Sequence, residues 1–129
     1  MLTGFVKLSL LKGSAFMTVS NYRISFNKNV VARLLKPRFV TFLFNRSTNQ
    51  FAIQKCDEFT DFKLPFFKDD SDLKNGVQIS NRELFNFFIN VMKWDLDHSN
   101  YRVDGIFNSN DQAMIFDLNS ARLFKKRGV

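Results

Sequence analysis

Acidic residues are absent from the first 56 positions of this 129-residue chain; every Asp and Glu lies at or beyond Asp57. Up to Cys56 there are nine Lys or Arg and no acid, a charge of +9. From Asp57 onward ten basic residues stand against twelve acids, a charge of −2, and the two sum to the net +7. A fold requires a hydrophobic pattern, not an acid-free half, so the asymmetry speaks of partners. A surface of one sign attracts and steers polyanions. Nucleic acid is the commonest such partner, with DNA expected ahead of RNA. The bland alternative is a basic surface kept for solubility.

Other shortages narrow the chemistry. Cys56 is the only cysteine. That excludes an internal disulfide framework and a Cys-rich zinc site, and it fits a reducing, cytoplasmic compartment. Cys56 reads as a small apolar filler rather than a nucleophile. The only His is His98, in the polar run Asp97-His98-Ser99-Asn100, and it reads as a solvated loop side chain. Asp69-Asp70-Ser71-Asp72 fails the calcium-loop pattern: Lys74 stands where an oxygen ligand belongs, and Gly76 comes one residue late. Five scattered glycines form no phosphate-cradling loop. No catalytic residue, metal site or cofactor is expected, and the chain reads as a non-enzyme. No stretch approaches the roughly 20 apolar residues of a membrane span, so no membrane partner is expected.

Residues 2–17 are mildly apolar but broken by Lys7 and Lys12, without the layout of a signal peptide. Lys12-Gly13 can be encoded by AAAGGA, a ribosome-binding sequence, four codons before Met17. Residues 1–16 are therefore expected to be a translated leader, with Met17 the natural start. Mass spectrometry of the native protein tests this; a peptide covering residues 5–16 rules it out.

The length fits one domain, residues 17–129, large enough to bury a core. Phe is abundant, with 17 copies, and buried rings suit a small core. Tyr22-Arg23-Ile24-Ser25-Phe26 alternates as a half-buried strand does. Asn27 reads as an N-cap for a helix over residues 28–36, with Val30, Val31, Leu34 and Leu35 inward and Asn29, Arg33 and Lys36 outward. Pro37 ends it. Residues 39–44 and 50–55 read as a hairpin around a polar turn.

Residues 57–75 read as a linker, aromatic over 59–67 and charged over 68–76. Residues 77–79 form a short strand. Ser80 with Glu83 matches a capping box for a helix to about Lys93, with Leu84, Phe87, Phe88, Val91 and Met92 inward. Phe87, at its centre, is the expected core anchor, and Trp94 reads as a core plug. Residues 101–107 and 113–118 form a second hairpin. Lys125-Lys126-Arg127 ends the chain as a basic tail.

The two parts match. Asn27 aligns with Ser80, Phe26 with Ile79, and Leu34-Leu35 with Phe87-Phe88. Leu43-Phe44-Asn45 aligns with Ile106-Phe107-Asn108. The expected fold class is α+β: a tandem β-α-β-β duplication, residues 22–55 and 77–118, forming a small barrel-like or two-layer pseudo-dimer.

Residues 22–55 resemble the AbrB and SpoVT family of bacterial DNA-binding domains. The likeness rests on the strand ending Ile24-Ser25-Phe26, a short helix with Val31 and Leu34, and an apolar hairpin ending Ala52-Ile53-Gln54. The resemblance implies a swapped-hairpin barrel of two such units, normally on two chains, with residues 77–118 supplying the second. Two departures stand out. Lys36-Pro37-Arg38 and Lys93-Trp94-Asp95 replace the family's Gly-Asp turn, and Asn27 and Ser80 replace its Pro at the helix start.

Two functions are expected. The first is a small DNA-binding regulator of transcription, with the composition of bacterial prophage and mobile-element proteins, touching duplex DNA through its first half. Its candidate phosphate contacts are Arg23, Lys28, Arg33, Lys36, Arg38 and Arg46, and Asn27, Asn29 and Arg33 are candidate base readers. The alternative is a protein-binding accessory or inhibitor of a host nucleic-acid machine, using the aromatic residues 59–67 and the acidic loop 69–72. Oligomeric state is left open.

Overall fold

Alternation of apolar and polar side chains builds most of the strands, because successive residues point to opposite faces. The computed structural model describes residues 14–125. Residues 1–13 of the expected leader and most of the basic tail lie outside that range. The elements in chain order are β1 (Phe16–Ser20), β2 (Arg23–Phe26), α1 (Lys28–Arg33), β3 (Phe39–Asn45) and β4 (Gln50–Cys56). Then come β5 (Leu64–Pro65), α2 (Ser71–Asn75), β6 (Val77–Ile79), α3 (Arg82–Met92), β7 (Ser99–Asn108), β8 (Ala113–Asp117) and β9 (Arg122–Lys125). The architecture is α+β, and every strand pairing among the described residues is antiparallel. None of the described helices is long and apolar enough to cross a membrane.

One sheet runs in the order β5-β3-β4-β8-β7-β1-β2-β6, with β9 also on β7, and it curls into a half-barrel. Strand β7 joins the two halves of the path. Its first part pairs with β1 and β9, and its last part pairs with β8. The inner face carries the core: Met17, Val19, Ile24, Phe26, Phe51, Ile53, Val103, Met114 and Phe116 are all buried. The rings of Phe26, Phe51, Phe66 and Phe116 meet there, with Phe26 at 5.6 Å from Phe66 and 5.9 Å from Phe116.

Several expectations need correction. Two further strands, β1 and β9, flank β7. The stretch 57–75 is not all linker: it holds β5, and its charged part is α2, packed against α1. The cap of α3 is Asn81, not Ser80; its Oδ1 accepts from the Leu84 N–H at 2.9 Å. The buried residues of α3 are Phe85 and Phe88, the latter as expected, with Phe87 half-buried and Val91 exposed. Trp94 is the core plug expected, stacked between Phe88 at 5.4 Å and Tyr101 at 4.5 Å.

Candidate nucleic-acid interface

Helix α1 and the turn that follows it hold the densest group of candidate cations. Asn27 sets the start. Its Oδ1 accepts from the Val30 N–H at 3.3 Å and from the Phe16 N–H at 3.1 Å, while its Nδ2 donates to the Ser14 carbonyl at 2.8 Å. One side chain thus caps the helix and ties it to the start of β1. Val30, Val31 and Leu34 are fully buried and fix the helix on the core.

The helix is shorter than the periodicity suggests and ends at Arg33. The Lys36 N–H bonds the Val31 carbonyl and the Leu35 N–H bonds the Ala32 carbonyl, each at 3.0 Å. This is the Schellman arrangement, which needs a left-handed residue just past the cap. Leu35 supplies it with φ 64°, and Lys36 follows with φ 52°. Leu35 is therefore turned out of the core and is 63% exposed, contrary to its expected inward place. Glycine holds this conformation without a Cβ clash. Leu35→Gly is expected to stabilise the fold by about 0.5–1 kcal/mol in urea unfolding. A loss of stability would mean that Leu35 packs in a way its exposure denies.

The turn is pinned on its far side. The Pro37 carbonyl accepts from the Phe67 N–H and the Arg38 carbonyl from the Phe66 N–H, both at 2.9 Å. Phe66 is fully buried, so these bonds anchor the backbone from which Lys36 and Arg38 project. Lys28, Lys36 and Arg38 are all exposed. Six helical residues rise only about 9 Å, so these cations share one end of the molecule.

The other candidates fall elsewhere. Arg33 is half-buried, not exposed, and already engaged within the fold. Asn29 is buried, its Nδ2 donating to the Ser14 carbonyl at 3.0 Å, so it is a structural tie and not a base reader. Arg46 lies past the far end of β3, about 25 Å of extended chain from Arg38. Arg23 opens β2 on the outward face of the sheet.

That outward face holds cations that the linear pattern did not bring together. Thr18 stands opposite both Ser25 and Arg102, and directly opposed residues share a face. Arg23, Arg102 and Arg122 therefore point the same way. Arg102 lies over the Phe16 ring at 4.1 Å, and Arg122 bridges Asp104 at 3.0 Å. Arg82 sits 5.9 Å over the Tyr22 ring, itself packed at a tilt against Phe85 with ring centroids 4.4 Å apart. The alternation of Tyr101 and Val103 marks Arg102 as outward, but only the β1–β7 pairing reveals which strands it faces.

The acids near α1 are occupied locally. The Asp72 carboxylate accepts from the Lys68 N–H at 2.8 Å, and Asp69 accepts from the Ser71 hydroxyl and N–H. The Ser71 hydroxyl is the main reason the Asp69 carboxyl lies below the usual range, followed by the Ser71 N–H. Among the described residues the ion pairs are His98–Asp95 and Arg122–Asp104, so Lys28, Lys36 and Arg38 have no carboxylate partner. His98 is exposed, and its hydrogen bond leads the effects that hold the Asp95 carboxyl low. No group of three or more His, Cys, Asp or Glu positioned for a metal ion occurs among the described residues. No family model, curated protein or solved structure matches the chain.

Proposed function

We propose that this chain is a small basic regulatory protein that binds duplex DNA through its acid-free first half, in the cytoplasm of a bacterium carrying it on a prophage or mobile element. The observation that carries the reading is the trio of Lys28 at the start of α1 and Lys36 and Arg38 on the pinned turn after it, all exposed and none ion-paired to a carboxylate among the described residues. Phosphates need positive charge without fixed geometry, so such a group suffices for backbone contact.

The strand pairings support a pseudo-dimer resembling the AbrB and SpoVT domains. The order β2-α1-β3-β4 recurs as β6-α3-β7-β8. Corresponding strands pair with each other and antiparallel, β2 with β6 and β4 with β8. Strand β1 crosses to β7 as β5 crosses to β3. These are the contacts that a twofold axis between two halves requires. Both helices start on an Asn whose side chain accepts from the N–H three residues on.

The test compares two charge reversals of equal size. Lys36→Glu with Arg38→Glu is expected to weaken duplex binding roughly hundredfold, at about 1.4 kcal/mol for each charge-assisted contact. Lys63→Glu with Lys93→Glu, both exposed and outside the acid-free half, is expected to have a far smaller effect. Equal losses in a gel-shift titration would reject the α1 face. The protein-binding reading is favoured by one observation: Phe59 and Phe62 are 85% and 92% exposed. Absence of duplex binding at low salt would put it in front.

A further inference from the structure

The outer edge of β3 is only partly used. Strand β5 pairs with Phe39 and Val40 alone, and beyond them residues 41–45 have no backbone partner on that side among the described residues. Natural sheets blunt such edges with shortness, proline or charge. The other free edges follow that rule: β5 contains Pro65, β6 is three residues long, and β9 opens on Arg122. Strand β3 does not. Its free segment is Thr41-Phe42-Leu43-Phe44-Asn45, without a charge, and Leu43 is 45% exposed. A groove of about 470 Å³ opens beside it, lined by Phe42, Phe44, Leu64, Leu84, Phe87 and the exposed Phe62, with Lys63, Asn81 and Glu83 also on its wall.

We propose that a second copy of this chain occupies this edge, β3 against β3, antiparallel about Leu43. The segment reads nearly the same in both directions, and that self-match identifies the occupant. Antiparallel pairing sets Leu43 opposite the partner's Leu43, Phe42 opposite the partner's Phe44, and Thr41 opposite the partner's Asn45. The Phe pairs fall on the groove side and bring the phenylalanine walls of the two grooves together. The Leu pair covers the exposed outer side. No like charges oppose each other along the segment, which matters for a chain of net charge +7. The contact is isologous and closes as a twofold dimer. A five-residue strand contact is smaller than the roughly 800 Å² per partner of a stable interface, so the dimer is concentration-dependent. This inference does not rest on DNA binding.

Sedimentation velocity on the full chain tests it. The wild-type protein is expected to shift from monomer towards dimer as its concentration rises. Leu43→Lys is expected to remain monomeric at every concentration, with an unchanged thermal melt. Register is read by oxidation. Opposed residues have Cα atoms about 4.5–5.5 Å apart, within disulfide range, so Leu43→Cys in a Cys56→Ser background is expected to cross-link. Thr41→Cys in the same background faces the partner's Asn45 and is expected not to. A wild-type chain that stays monomeric, a Leu43→Lys variant that still dimerises, or equal cross-linking of the two cysteine variants would overturn the proposal.

Discussion

Replacing Phe88 by Ala is expected to cost about 3–5 kcal/mol, the range for deleting a buried ring. Phe88 is fully buried at the centre of α3. Its ring lies 5.5 Å from Phe51, 5.4 Å from Phe87 and 5.4 Å from Trp94, and Trp94 stacks in turn on Tyr101. This ladder links β4, α3 and β7, so its loss leaves a cavity where three elements meet. A domain of this size has about 5–15 kcal/mol in total, which makes the variant marginal. Trp94 is the only tryptophan, so its fluorescence in urea reports both the unfolding and the lost stack. Phe88→Leu serves as the milder control, expected to lose less because it refills much of the volume. A loss below about 1 kcal/mol for the Ala variant would place the core elsewhere.

Gly76→Ala is expected to be as damaging for a different reason. Gly76 has φ 79° and ψ −173°, a combination open to glycine and almost closed to other residues. A Cβ there would lie 2.2 Å from the Phe26 carbonyl oxygen and 3.1 Å from the Asn27 backbone. These are main-chain atoms at the junction of β2 and α1, which cannot swing aside. Backbone strain of about 1–3 kcal/mol adds to an overpacking cost of similar size. The same glycine lets α2 approach α1, so the variant also loosens the segment beside the candidate interface. Urea unfolding measures the first effect, and amide exchange over residues 26–34 measures the second. A variant as stable as the wild type would show that this close approach is not needed.

Much of the fold is legible in the amino-acid order, and the failures have physical causes. Strands β2, β3, β4, β7 and β8 follow their alternation or apolar runs. Strand β1 alternates too, but Met17 and Val19 reveal an inward face only once β2 and β7 flank them. The two residues of β5 have no periodicity to read and are held by β3. The start of α3 is displaced by one residue because Ser80 and Asn81 are both good caps. The apolar face is read correctly at Phe88, with Leu84, Phe87 and Met92 packed at its margin, but Phe85 joins it and Val91 falls outside it, a turn of the face that only packing on the sheet decides. In α1 the apolar spacing includes Leu35, but the left-handed turn takes that residue out of the helix.

The candidate site is legible only as a charge, not as a surface. The acid-free stretch is plain in the sequence, and Lys28, Lys36 and Arg38 do gather at one end. Arg23 is carried away by β2, and Arg46 by the turn beyond the far end of β3. Asn29 looks outward on a helical wheel, yet the Ser14 carbonyl draws it inward. Arg102 joins the face of Arg23 through a pairing between segments some 80 residues apart, which no local pattern encodes.

The most direct test of the central claim is fluorescence anisotropy of a labelled duplex against the wild-type protein across a salt series. Counterion release makes the log–log slope roughly −0.9 per phosphate contacted. Lys28, Lys36 and Arg38 together predict a slope of about −2.7 or steeper, and the Lys36→Glu, Arg38→Glu variant is expected to flatten it by about 2. A slope near zero, or no binding at low salt, would contradict a DNA-binding role for the acid-free half.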